Sequence, residues 1–242
     1  MNGTRYLYLE HDGKIFLVDD DGSGPQIPLP GRTKCDCDKG WSIRLPTEAE
    51  AKAAGLEWVV KRTNLISFEG VNMEVVIAFP EIDWPSHWAW KDAVISDSAV
   101  HPLARESVYR TIHRLVSKVL IVSEEGKVVM AKVKRGHFVG AWTLPGGYLD
   151  YSEHPEQGAL RETLEELGIE IDLDEIAPMI SQNIFTDEGI NFVSFTYRST
   201  VRSGDLNFKP KQDEIAEVAW LSKEEALDRA VSWFDRKALE DL

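Results

Sequence analysis

The stretch running from Gly147 to Ile169, Gly-Tyr-Leu-Asp-Tyr-Ser-Glu-His-Pro-Glu-Gln-Gly-Ala-Leu-Arg-Glu-Thr-Leu-Glu-Glu-Leu-Gly-Ile, constrains this chain more than any other. It predicts a helix over 155–167. Ser152 or Asp150 can cap the start, Pro155 is tolerated in a first turn whose N–H groups lack intrahelical acceptors, and Gly168 can end the helix in a left-handed conformation. At about 100° per residue, Glu162, Glu165 and Glu166 fall within one sector of roughly 100°, while Leu160, Leu164 and Leu167 gather on the opposite side. The helix therefore has a core face and a triple-carboxylate face.

An acidic helix face by itself is ordinary. Exposed like charges three and four residues apart cost only a few tenths of a kcal/mol, and most such faces are simply solvated. The joint spacing, G-x5-E-x7-R-E-x2-E-E-x-G-I, carries more. Gly146-Gly147 lies upstream, Glu153 follows the second glycine, Arg161 directly precedes the acidic cluster, and Gly168-Ile169 closes it. Carboxylates on one rigid helix suit a hard divalent cation, which screens phosphate charge and makes a better nucleophile of water.

This spacing resembles the signature of the Nudix hydrolases, which cleave nucleoside diphosphates linked to a further group. The lead-in Gly140-Ala-Trp-Thr-Leu-Pro-Gly-Gly147 is similar to that of many members. The resemblance implies Glu162, Glu165 and Glu166 as principal metal ligands, the backbone carbonyl of Gly147 as a further one, and a Glu153–Arg161 pair holding the loop against the helix. It also implies a glutamate from outside the motif. Glu217 is the candidate, with Asp213 and Glu214 as near alternatives. The general base differs among subfamilies, and Glu162 and Glu188 both stand as candidates. Mg²⁺ is the implied cofactor, with Mn²⁺ an acceptable substitute. Thr163 departs from the family's usual aliphatic residue; its helical position places it at the edge of the core face, where its methyl can still pack.

The elements around the signature extend the resemblance to residues 115–235. A helical pattern over 103–115 precedes strands at 118–123 and 127–133, joined by a glycine-containing hairpin. Further strands are expected at 192–198 and 217–221, then a closing helix over 223–230. The expected fold is α+β: a Nudix-type α/β/α sandwich with a mixed sheet over 101–242, preceded by a small α+β domain over 1–100. In that first domain, strands at 6–9 and 14–18 flank the turn His11-Asp-Gly13. Thr47 and Glu50 form a capping box for a helix over 47–55 that Gly55 can stop, and 58–60 and 73–79 read as strands.

The formal charge of −14 argues against a nucleic-acid polymer as main partner, because such binding relies on Lys and Arg neutralising phosphates. A small anionic substrate is compatible with it, since bound cations and a few basic groups can handle its charge locally. Lys132, Lys134, Arg135 and His137 form a basic cluster ahead of the acidic helix. Lys134 and Arg135 are candidate substrate-binding groups, with a solvated basic loop as the plain alternative. No apolar run is long enough to span a bilayer and the N-terminus lacks signal-peptide layout, so a cytoplasmic protein without membrane contact is expected. Cys35 and Cys37 are too few and too close for a disulfide scaffold or a four-ligand zinc site.

Trp84, Trp88 and Trp90 cluster near the expected domain boundary. They can stack a nucleobase, but tryptophan is enriched in protein contacts, and a domain or homodimer interface is the commoner use. An extra N-terminal domain followed by a Nudix domain resembles the layout of NADH pyrophosphatases. Ser181-Gln182 begins that subfamily's motif, but Asn183 and Ile184 break it and the four-cysteine ribbon is absent. The reading is a Mg²⁺-dependent hydrolase that splits a pyrophosphate bond in ADP-ribose, a nucleotide sugar or a dinucleotide such as NADH, releasing a nucleoside monophosphate. The competing reading is a non-catalytic Nudix-fold nucleotide-binding or regulatory protein.

Overall fold

The computed structural model describes residues 5–33, 41–68, 70–136, 138–185 and 189–242. Cys35, Cys37, His137 and Glu188 lie outside the described residues. By contacts the chain divides into one unit of Met1–Ile112 with Phe185–Ile190 and a second of His113–Ile184 with Asn191–Leu242. The division falls at 112/113, and the helix before it packs into the first unit's core rather than the second's.

The first unit is a five-stranded sheet with three helices. Strands β1 (Arg5–His11) and β2 (Lys14–Ile15) form the expected hairpin, and Asp12 and Gly13 both take positive φ, as a two-residue primed turn requires. Helix α1 (Glu48–Ala53) carries the full capping box of Thr47 and Glu50. Strands β3 (Trp58–Phe68) and β4 (Val71–Pro80) are much longer than the sequence suggests, and β5 (Ala89–Trp90) and α2 (Asp92–Ile95) follow. The sheet order is β3-β4-β1-β2-β5, with β1 and β4 parallel. Leu7 and Leu9 enter one core cluster and Tyr8 another, so the period-two alternation of β1 buries both faces.

Helix α3 (Pro102–Thr111) is shorter than the 103–115 pattern. His101 caps it, its Nδ1 accepting from the Leu103 N–H at 3.0 Å. Ile112 is already extended, and residues 113–115, drawn into the sheet, begin β6. In the tryptophan cluster, Trp88 is buried while Trp84 and Trp90 are each 52% exposed. Their rings lie 5.2 and 5.1 Å from the Lys14 ammonium, which donates to the carbonyls of Ser86 and Trp88. The ammonium therefore lies over both rings, whose centroids are 5.9 Å apart.

The second unit centres on β6 (His113–Ser123). It runs parallel to β11 (Ile190–Val201) along one edge and meets β7 (Val128–Val133) and β9 (Gly146–Tyr148) along the other. Strand β8 (Trp142–Thr143) pairs with β7, β10 (Met179–Phe185) with β11, and β12 (Ile215–Leu221) with β7, giving a seven-stranded mixed sheet. Val119 and Ile121 face α4 (Pro155–Leu167), whereas Leu120 and Val122 face α5 (Lys223–Arg229) and α6 (Trp233–Glu240). This is the expected α/β/α sandwich. Helix α6 was not foreseen; it adds Phe234, Ala238 and Leu239 to the buried set.

Helix α4 has the bounds its sequence predicts, and Gly168 closes it with φ +66°. Two details differ. His154, not Ser152 or Asp150, is the cap: its imidazole accepts from the Glu156 N–H, while Ser152 itself sits at positive φ in the preceding turn. The core stripe runs through Ala159, Thr163 and Leu167, each fully buried, whereas Leu164 is 47% exposed. Close packing of α4 onto the sheet favours small residues at the contact, so the stripe is rotated from the leucine-weighted one and Glu166 turns inward. Thr163 is at the centre of the core face, not its edge, and its hydroxyl donates to the Ala159 carbonyl at 2.8 Å. Thr163→Val should therefore leave stability within about 1 kcal/mol, while Thr163→Ser, losing the packed methyl, should cost about 1 kcal/mol. Urea unfolding of the two variants checks the order; equal values would place the methyl outside the core.

Candidate active site

Arg161 organises the site. Its Nε and Nη2 donate to the two oxygens of Glu153 at 2.8 and 2.9 Å, and Nη2 also donates to the Tyr148 carbonyl at 3.0 Å. A bidentate fork of this kind fixes geometry as well as charge. The Arg161 hydrogen bonds, outweighing burial, bring the Glu153 carboxyl down to about 2. The implied Glu153–Arg161 pair is thus present, and it ties the loop before α4 to the helix and to β9. On its other side Arg161 Nη1 donates to Glu162 at 2.8 Å and more loosely to Glu165 at 3.5 Å.

Strand β9 lies against the carboxylates. The Gly146 N–H donates to Glu166 Oε2 at 3.0 Å. A Cβ on Gly147 would stand 2.6 Å from Glu162 Oε1, so only glycine lets the Gly147 backbone and that carboxylate share the space. Glu166 is largely withdrawn from water. Burial pushes its carboxyl up to about 7, Gly146 opposes this, Glu162 adds to it, Lys118 opposes it and Glu214 adds to it. Burial also raises Glu162, with Arg161 pulling back and Glu165 and Glu214 adding repulsion.

Among the described residues from outside the motif, Glu214 is the acidic one whose charge acts on both Glu162 and Glu166. Glu217 instead projects from β12, exposed and in register with Lys132. The reason lies at the end of α4, whose last carbonyls have no helical donors. The Lys209 N–H donates to the Leu167 carbonyl at 2.8 Å and the Lys211 N–H to the Glu166 carbonyl at 3.0 Å, docking the segment that carries Glu214. No sequence periodicity reports such a contact. The nearest signal was the run Asp213-Glu214 itself.

Lys134 and Arg135 meet this same segment. Lys134 Nζ donates to the Gln212 carbonyl at 2.7 Å, the Glu214 carbonyl accepts from the Lys134 N–H at 2.7 Å, and Arg135 pairs with Asp213 and Glu214. Lys211 also pairs with Glu214, at 2.9 Å. Here the two candidate substrate cations brace the Glu214 loop.

Among the described residues no three His, Cys, Asp or Glu side chains converge tightly enough to form a metal cage. Glu162 and Glu165 turn toward Arg161 and Glu166 toward Gly146. The donor set nevertheless fits a hard divalent cation. It offers only oxygen ligands, and for its most withdrawn carboxylate the Gly146 N–H and the charge of Lys118 do not offset the desolvation, leaving a deficit of positive charge.

That deficit has a pH signature. Because the Glu166 carboxyl is raised to about 7 in the fold from 4.5, the unfolded chain loses this proton first as pH rises, and metal-free stability should fall between those values by at most about 3 kcal/mol. The Glu153 contribution has the opposite sign and lower window, being lost as pH falls from 4.5 toward 2. Urea unfolding with a chelator should therefore show lower stability at pH 8 than at pH 5, and added Mg²⁺ should stabilise more at pH 8. A Mg²⁺ effect equal at both values would contradict the burial of Glu166.

Residues 112–242 match the family model of the NUDIX domain. A MutT-like protein of Streptomyces ambofaciens is 28% identical over 138 residues, 57% of this chain and 82% of that protein. A putative 8-oxo-dGTP diphosphatase 3 of Mycobacterium tuberculosis is 34% identical over 94 residues, spanning 38% of this chain and 42% of that protein. Among solved structures, a MutT NUDIX hydrolase from Burkholderia pseudomallei has a TM-score of 0.48 and 26% identity, covering 54% of this chain and 98% of that one. The chain belongs to the Nudix family. It is a pyrophosphohydrolase by that membership, and no helix among its described residues is long and apolar enough to cross a membrane.

Proposed function

We propose that this chain hydrolyses a pyrophosphate bond in a small nucleotide derivative, with Mg²⁺ as cofactor, and releases a nucleoside monophosphate. The observation that carries this reading is the half-buried Glu166 carboxylate, held by the Gly146 N–H at 3.0 Å, together with a Glu162 carboxylate lying where a side chain on Gly147 would be. Glu162, Glu165 and Glu166 would hold the cation, with the Gly147 carbonyl, and Glu214 would complete the set in place of Glu217. When bound, the cation polarises phosphoryl oxygen and makes attacking water more acidic.

The protein's own groups set the stage. Arg161 fixes the spacing between the loop and α4, and its Nη1 holds Glu162 in the half-buried position that suits a proton acceptor. Glu188, the other candidate base, lies outside the described residues. Lys134, Arg135 and Lys211 place basic charge around Glu214, where an anionic substrate meets less repulsion than the chain's overall acidity implies.

ADP-ribose, nucleotide sugars and dinucleotides such as NADH remain the substrates argued from sequence, and the relative named as an 8-oxo-dGTP diphosphatase adds oxidised purine nucleoside triphosphates. A panel of these with dinucleoside polyphosphates, incubated with protein and Mg²⁺ and resolved by mass spectrometry, should yield a monophosphate whose mass identifies half of the substrate. Absence of any monophosphate across the panel would sink the reading.

A further inference from the structure

Behind the site lies a buried ion pair that the signature does not include. Lys118 on β6 and Asp235 on α6 are 7% and 0% exposed, and Nζ donates to Asp235 Oδ1 at 2.8 Å. Lys118 also engages Leu144, whose carbonyl accepts from Nζ at 3.4 Å, while the second oxygen of Asp235 is buried without a hydrogen-bond partner among the described residues. Lys118 pairs in the sheet with Gly146, whose N–H holds Glu166. A missing Cβ makes this possible, since one on Gly146 would stand 2.6 Å from the Lys118 Cα.

Helix α6 forgoes a local bond to make this contact. Asp235 is its third residue, the position from which a carboxylate can reach back to the N-cap, yet Ser232 makes no side-chain cap and Asp235 points into the core. A buried ion pair seldom adds net stability over well-packed apolar residues, so its presence asks for a role other than stability.

We propose that the Lys118–Asp235 pair is a positioning element for the hydrolase site: it locks α6 to Leu144 and β6, and so holds the Gly146–Gly147 strand against Glu162 and Glu166. Its catalytic consequence rests on the function proposed above. Its structural content does not, because it predicts that α6 and Gly146–Tyr148 open together.

Amide hydrogen exchange on the full chain across a denaturant series tests that content without substrate. The amides of Trp233–Glu240 and Gly146–Tyr148 should merge into one opening event. If α6 opened at lower denaturant while Gly146–Tyr148 stayed protected, the proposal would be overturned. The second arm is the double variant Lys118→Met with Asp235→Leu, in which no buried charge is left unpaired. Its melting temperature should stay near that of the parent. Exchange at Gly146–Tyr148 should rise about tenfold, and kcat should fall about tenfold with KM nearly unchanged, because the carboxylates shift while the grip on substrate does not. Parental exchange and kcat in that variant would show the pair to be mere packing and overturn the proposal. Should the double variant not fold, the exchange pattern of the parent decides. Should the parent hydrolyse nothing on the panel, the function fails while the exchange measurements still decide the brace.

Discussion

Glu166→Gln is expected to lower kcat by about 10²- to 10³-fold while leaving the fold intact. The substitution keeps size and shape, retains an oxygen for the Gly146 N–H at 3.0 Å, and removes a charge that burial already disfavours. Metal-free stability at pH 8 should therefore rise, and the decline between pH 5 and pH 8 should flatten. Activity and stability then move in opposite directions, as expected of a group strained for function. A variant that lost both together would mean Glu166 is a structural residue, and the site would have to be sought elsewhere. The measurements are kcat on whichever panel substrate is cleaved and urea midpoints at the two pH values.

Gly146→Ala is expected to cost about 3 kcal/mol or more. Gly146 has φ +141°, and a Cβ there would lie 2.2 Å from the Ser117 carbonyl oxygen and 2.6 Å from the Lys118 Cα, backbone atoms of the central strand that cannot swing aside. The neighbouring Gly147→Ala should fail differently. The atoms nearest its Cβ belong to the Glu162 carboxylate, at 2.6 Å, the movable end of a side chain. That variant should fold but displace Glu162, with activity reduced by about 10²-fold. Urea midpoints and kcat on both separate the two effects. Comparable stability losses would show that the glycines serve only the turn.

What could be read in advance depended on how local the determining physics is. The bounds of α4, the left-handed Gly168 and the capping box of Thr47 and Glu50 follow from interactions within a few residues, and the structure has each of them. The Glu153–Arg161 pair likewise spans one loop. The phase of α4 departs from its leucine spacing because helix and sheet approach closely enough here that Ala159 and Thr163 fill the contact and Leu164 is left outside. The cap formed by His154 has no strong sequence signal, because imidazole seldom serves there.

Longer-range features left weaker traces. Helix α6 is short and carries Asp235 on its buried face, so its pattern does not announce a core helix, and the reason for that aspartate is a lysine far away in sequence. Glu214 is placed by backbone bonds to the end of α4 and by Lys134, Arg135 and Lys211, contacts that no local pattern announces. The full length of β3 and β4 is set by mutual pairing, which extends through Arg62, Asn64 and Glu74, residues of no marked strand preference.

The docking of residues 209–211 onto the open end of α4 has one more result. Between Ile169 and Lys209 the chain leaves the helix, builds β10 and β11, and returns; Glu214 is placed by the return being stapled to the helix, not by the length of the excursion. Insertions or deletions in that excursion can thus be accommodated without moving the carboxylate. The position of Glu214 is mechanically uncoupled from the length of chain on the far side of that joint.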